Sequence, residues 1–156
     1  MCILVLHKKQ IRGLVGKMSN IELKAKLLAT AKYLSIIETI LATVGTVSII
    51  KVIVISYIYM NNHFEKYIFS LTTKKNLFDK YLALLTAQKE DFLVNIETIF
   101  DGILILTDSQ VINIQDGILV NNTGEKKFTD KFLDKILSVS KSYSDSQMLR
   151  EILNYV

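Results

Sequence analysis

The chain has 156 residues, of which half are hydrophobic, so it is long enough for one buried core and gives no compositional reason for two full domains. Its single cysteine, Cys2, excludes an internal disulfide, and a reducing cytoplasmic location is therefore expected. The net charge of +4 is unevenly divided. Residues 1–80 carry 12 Lys/Arg and 4 Asp/Glu, whereas residues 81–156 carry 7 Lys/Arg and 11 Asp/Glu. Because the second half is acidic, contact between it and a phosphate backbone is disfavoured.

The first residues are apolar and are followed by His7-Lys8-Lys9, the reverse of the charge order in a signal peptide. We predict that residues 1–17 form an N-terminal arm and that residues 18–156 form a single compact domain. From Ile21 onward, apolar residues recur at three- and four-residue steps. This pattern predicts an amphipathic helix that is capped by Asn20 and ends near Ala42.

The segment from Thr39 to Met60 has one charge, Lys51, and by length alone it could span a bilayer. A lysine in the middle of a span is costly, and the sequence from Val44 to Ser48 predicts a turn followed by a helix N-cap. We therefore predict a break there, followed by a buried core helix from Ser48 to Met60. A small membrane protein anchored by residues 39–60 is the alternative.

A further helix is predicted from a cap at Thr72 or Thr73 to about Ala87, and the third main helix from Lys89 to Leu106. The apolar face of the third main helix should comprise Phe92, Leu93, Ile96, Ile99, Phe100, Ile103 and Leu104.

The Asp116-Gly117 pair separates two short apolar-rich segments, Val111–Ile114 and Ile118–Asn121. Aspartate and glycine tolerate the positive φ that a tight hairpin turn needs, so the pattern predicts a β-hairpin. Two C-terminal helices should follow, one capped by Thr129 and one beginning at Ser144 with a Ser144–Gln147 capping box. The predicted fold is thus mainly α: a helical bundle with a winged-helix-like C-terminal part that contains one β-hairpin.

Residues suited to catalysis or metal binding are few. Acid-base or nucleophilic chemistry would depend on His7, His63 and Cys2 alone, and Glu97 with Asp101 has no histidine or cysteine nearby in the sequence. The six glycines are scattered, which argues against a phosphate-binding loop. We expect no enzyme activity, no catalytic residue, no metal and no cofactor.

Protein binding is the favoured role of the predicted hairpin-bearing helix. Winged helices often bind DNA through a basic helix, but this one is acidic, and any direct DNA contact should be minor. The predicted partner-binding residues are Glu90, Asp91, Glu97, Asp101, Gln115, Met148, Leu149 and Ile152. The alternative, a winged-helix DNA-binding regulator, would use Lys66, Lys74, Lys75 and Lys80.

The order of the predicted elements resembles a known family over roughly residues 21–156. The pieces that match are Val47–Lys51 with the apolar run behind it, Ser70-Leu71, the segment Thr98–Leu104, and Gln115-Asp116-Gly117. They resemble the small middle component of bacterial three-component ABC-ATPase defence systems, the group that includes Lamassu. The resemblance implies a non-catalytic adaptor that joins an SMC-like ABC ATPase to an effector subunit, often a nuclease, in an anti-phage complex.

Overall fold

A computed structural model of the chain describes residues 19–61, 80, 83, 85, 87–124 and 130–154, without the side chains of the last two. The described residues are mainly helical, with one small antiparallel sheet. The elements are α1 (Asn20–Val44), β1 (Thr46–Ser48), α2 (Ile49–Met60), α3 (Lys89–Asp108), β2 (Ile112–Gln115), β3 (Ile118–Asn121), α4 (Lys131–Ser140) and α5 (Asp145–Asn154). The predicted N-terminal arm and most of the helix predicted before Ala87 lie outside the described residues.

Helix α1 begins one residue earlier than predicted. Its N-cap is Ser19, whose hydroxyl accepts a hydrogen bond from the Glu22 N–H, while the Glu22 carboxylate accepts one from the Ser19 N–H at 2.7 Å. This capping box satisfies two backbone donors that a helix start leaves free, which is why Ser19 and not Asn20 is the cap. The helix ends at Gly45, whose N–H donates to the carbonyl of Leu41.

The apolar run from Thr39 to Met60 is divided between two helices, as predicted. α1 ends at Val44, and α2 starts at Ile49 with Ser48 as its N-cap. The residues of α2 from Val52 to Ile58 are all buried, so this is the central core helix that its uniform apolarity predicted.

The connection between α1 and α2 is not a simple turn, because residues Thr46–Ser48 form a strand that the sequence analysis missed. This strand pairs antiparallel with β3, placing Thr46 opposite Val120 and Ser48 opposite Ile118. The sheet order is β1-β3-β2. The predicted hairpin is therefore present, but as two strands of a three-stranded sheet.

The hairpin turn lies at the predicted Asp116-Gly117 pair, but the first strand is Ile112–Gln115 instead of the predicted Val111–Ile114. Asp116 and Gly117 have φ angles of 49° and 77°, and Ile114 lies opposite Leu119. Ile112 and Leu119 share the inner face and are fully buried. Ile114 belongs to the same face but remains 42% exposed, because it lies on the edge strand β2, whereas its partner Leu119 lies on the central strand β3.

The core joins all the described helices to the inner face of the sheet. In α1 the buried part is the second half, with Ile37, Ile40 and Leu41, whereas Leu27 and Leu28 are about 60% exposed. The predicted apolar stripe of this helix is thus only partly buried, because its first half extends beyond the packed core.

The C-terminal helices begin at different kinds of cap. Asp130, not Thr129, caps α4, since its carboxylate accepts from the N–H groups of Phe132 and Leu133. For α5 the predicted capping box is confirmed: Ser144 and Gln147 exchange backbone-to-side-chain hydrogen bonds of 2.8 and 3.1 Å.

One described helix, α1, is long and apolar enough to cross a membrane by length and composition, although only 28% of its most apolar window is buried. Core helices of soluble proteins can have the same length and composition, so these properties do not distinguish a membrane-spanning helix from a core helix.

Candidate functional site

Helix α3 is apolar on more sides than the core can cover. Phe92, Ile99 and Ile103 are buried, as predicted, and they face α1 and α2. Ile96, assigned to the same apolar face, is partly buried against the core, whereas Leu93, Phe100 and Leu104 are 53%, 40% and 46% exposed. The predicted apolar face is therefore only partly buried, because the apolar band is wider than the side of the helix that α1 and α2 cover.

A strip of carboxylates runs beside these exposed apolar residues. Successive residues of an α-helix are rotated by about 100°, so Glu90, Glu97, Asp101 and Asp108 lie on one side of α3, opposite the buried Ile99. Leu93, Phe100 and Leu104 lie along one edge of this strip. We call the whole surface the α3 face. It combines apolar area with negative charge.

Part of the charge on the α3 face is compensated from α1. The Lys26 ammonium lies 3.0 Å from Glu97 Oε1 and 3.3 Å from Asp101 Oδ2. The hydrogen bond to Glu97, together with Asp101, raises the pKa of Lys26 despite its partial burial. One lysine shared between two carboxylates leaves negative charge in excess, and within the described ranges neither Glu90 nor Asp108 has an ion-pair partner.

Asp91 is exposed, but its carboxylate takes part in the packing of the helices. It accepts a hydrogen bond of 2.6 Å from the buried hydroxyl of Tyr57, and one turn further along α3 the Asn95 amide accepts from Tyr33 at 2.9 Å. Burial and the neighbouring Asp91 raise the pKa of the Tyr57 hydroxyl, so it stays a proton donor at neutral pH. The Tyr57–Asp91 hydrogen bond joins α3 to α2, and the Tyr33–Asn95 hydrogen bond joins α3 to α1. Asp91 therefore stabilises the packing of the helices.

The other predicted partner-binding residues lie on two different elements. Gln115 is exposed at the end of β2, next to the hairpin turn. On α5, Met148 is fully buried in the core, Leu149 is 40% exposed and Ile152 is half-buried. Only Leu149 and Ile152 of that stripe therefore contribute to the surface.

The lysines of the DNA-binding alternative are mostly outside the described part of the chain. This applies to Lys66, Lys74 and Lys75, whereas Lys80 is described and exposed. The described residues therefore do not bring these four lysines together as a surface.

The residues that the sequence offers for catalysis lie in parts of the chain that the structure does not describe. His7, His63 and Cys2 lie outside the described residues, and within the described ranges no group of three or more His, Cys, Asp or Glu side chains could hold a metal ion.

An open cavity of about 700 Å³ lies between β1, the start of α2, the hairpin turn and the α4–α5 junction. Lys51 and Lys141 line it together with Asp116 and Asp145. Asp145 also accepts a hydrogen bond of 2.8 Å from Ser48, which holds the start of α5 against β1. With charges of both signs on its wall, the cavity does not select a ligand of one charge.

Sequence reasoning located the acidic residues of the α3 face but missed its apolar edge and the role of Lys26. The spacing of Leu93, Phe100 and Leu104 could not have identified that edge, because the buried residues Phe92, Ile99 and Ile103 have the same spacing. Comparisons of the chain with protein-family models, with curated proteins and with solved structures found no match. The structure itself defines a mainly helical protein with a three-stranded antiparallel sheet.

Proposed function

We propose that this protein is a non-catalytic adaptor that docks other proteins, and that the α3 face is its main docking surface. The observation that carries the proposal is the exposure of Leu93, Phe100 and Leu104 on one helix. Large apolar side chains clustered on a surface favour burial against a partner. The helix that presents them is held firmly by Tyr57 and Tyr33, so little conformational entropy is lost on binding.

An adaptor needs at least two separated docking surfaces. The second in this chain is the exposed part of α5, with Leu149 and half-buried Ile152; Gln115 is exposed separately, on the hairpin. By the resemblance described above, the two surfaces would serve an SMC-like ABC ATPase and an effector subunit of an anti-phage complex.

The proposed fold of this adaptor is a winged helix. Three features support it: the order helix, strand, helix, helix, strand, strand among the described elements; the sheet order β1-β3-β2; and the tight turn at Asp116-Gly117. In a winged helix, α3 would be the recognition helix, which in DNA-binding members enters the major groove. Here that helix carries the carboxylates of the α3 face, which would repel phosphates.

Co-purification tests the adaptor function. The tagged chain is co-expressed with the products of the genes adjacent to its own, and complexes are separated by size. We expect a stable complex with an SMC-like ATPase, and its loss in the Phe100→Glu and Leu104→Glu variants. A monomeric protein that retains neither an ATPase nor an effector subunit would refute the proposal. DNA binding at low salt that is lost on charge reversal at Lys80 would instead favour the regulator.

A further inference from the structure

We propose that the α3 face binds an amphipathic helix that carries basic residues along one side of an apolar seam. This inference rests on the docking function proposed above and adds the chemistry of the partner.

The shape of the apolar edge points to a helix as the partner element. Leu93, Phe100 and Leu104 are spaced by seven and four residues, the spacing of seam positions in helix pairs. With a rise of 1.5 Å per residue they extend over about 17 Å, or roughly three helical turns. An extended strand or a compact loop would cover such a narrow, straight row less completely than a parallel or antiparallel helix does.

The carboxylates beside this apolar row indicate that the partner helix carries positive charge. Charged residues beside the seam of a helix pair select partners by charge, and on α3 the carboxylates of Glu90, Glu97, Asp101 and Asp108 lie along one side of the apolar row. Lys26 compensates only the middle pair, because one ammonium serves both Glu97 and Asp101. Lysine or arginine on the partner would face the carboxylates at the two ends, Glu90 and Asp108.

The same charges argue against a second copy of this chain as the partner. In a two-fold symmetric pair each α3 face meets an identical face. In the antiparallel arrangement Glu90 would approach Asp108, and in the parallel one each carboxylate would approach its own copy. Both arrangements place like charges opposite each other, which destabilises helix pairing.

Two synthetic peptides of about three heptads test the chemistry directly. Both have leucine at the seam positions, and the flanking positions are lysine in the first peptide and glutamate in the second. Binding of each labelled peptide to the full chain is measured by fluorescence anisotropy at low and high salt. We expect the lysine peptide to bind, more weakly as salt rises, and the glutamate peptide not to bind.

Substitutions at exposed positions locate the binding surface. Leu104→Glu should weaken binding of the lysine peptide by about tenfold or more, because it removes apolar burial at the seam. Leu28→Glu is the control, at an exposed leucine on the side of α1 that faces away from Lys26 and from the core, and should leave binding unchanged. Lys26→Gln should increase affinity by about two- to fivefold, since it frees both carboxylates for the peptide.

Three results would overturn the inference: equal binding of the two peptides, binding of neither, or equal loss in the Leu104→Glu and Leu28→Glu variants. A natural complex that forms through Leu104 while the lysine peptide fails would leave the docking function standing and refute the basic helix. If the natural complex does not form through Leu104 and the lysine peptide does not bind, both the docking function and the basic partner helix are refuted.

Discussion

The close contact between α3 and α1 at Gly102 predicts opposite results for two substitutions. A Cβ atom at this position would lie 3.4 Å from Ile37 Cδ1 and 3.6 Å from the Leu34 backbone nitrogen, which is ordinary van der Waals contact. Alanine therefore fits, and since it is the better helix former, Gly102→Ala should be neutral or stabilise the protein by up to about 1 kcal/mol. Gly102→Leu adds atoms where α1 already lies, and should destabilise the protein by about 1–3 kcal/mol.

Urea unfolding followed by far-UV circular dichroism measures both changes. The control is Gly117→Ala in the hairpin turn, where no atom lies within 4 Å of the added Cβ but φ is +77°. That variant should lose about 1 kcal/mol through backbone strain alone. The reasoning fails if Gly102→Ala is clearly destabilising, or if Gly102→Leu unfolds at the same urea concentration as the wild type.

The other predictions concern buried or partly buried polar groups. Ser56 is fully buried with no hydrogen-bond partner for its hydroxyl, so Ser56→Ala should raise the free energy of unfolding by about 1 kcal/mol, measured by urea unfolding. Ser48→Ala should lower it by about 1–2 kcal/mol, because the variant loses the N-cap of α2 and the bond to Asp145. Burial raises the pKa of Asp130, but hydrogen bonds from Tyr59 and two backbone N–H groups lower it more, to a net value below the usual one. Because the folded-state pKa is depressed, this stabilisation is present above the unfolded-state pKa and is lost as pH falls through the folded value. Asp130→Asn should therefore be destabilising at neutral pH, with a difference from wild type that shrinks in acid, as followed by thermal unfolding across pH.

For each of these three predictions, a control distinguishes the expected effect from a nonspecific loss of stability. Ser140 is also buried, but its hydroxyl donates to the Leu137 carbonyl at 2.8 Å, so Ser140→Ala should gain less stability than Ser56→Ala or lose some. Ser48→Asn keeps an N-cap side chain and should recover part of the loss seen with alanine. A constant difference between Asp130→Asn and wild type at every pH would contradict the role of the carboxylate charge.

Local chemistry explains what the sequence could predict. The hairpin depends on two adjacent residues, Asp116 and Gly117, that tolerate positive φ, and the α5 start depends on the short-range pair Ser144 and Gln147. The break in the long apolar run similarly depends on Ser48 as a helix cap. These features involve residues close together in the chain, so their residue types are enough to identify them.

The missed features all depend on residues far apart in the chain. β1 is only three residues long and is a strand because β3 lies beside it, which no local pattern indicates. The contact between Lys26 and Glu97 likewise joins two separate helices. On α3 the periodicity showed a wide apolar band, but the positions of α1 and α2 determine which side is buried. The exposed edge of the candidate docking surface therefore became visible only in three dimensions.

The pairing of β1 with β3 has a consequence for the order in which the chain can fold. Ser48 pairs with Ile118, so the sheet closes a loop that contains all of residues 49–117. During synthesis α1, the described helix before that loop, can form first, but β1 has no partner until the hairpin has emerged from the ribosome. Closing a loop of this length costs entropy before the sheet contacts compensate, which slows folding. Until that closure, the chain exposes an unpaired strand next to its most apolar helix, and this interval is when it is most susceptible to aggregation.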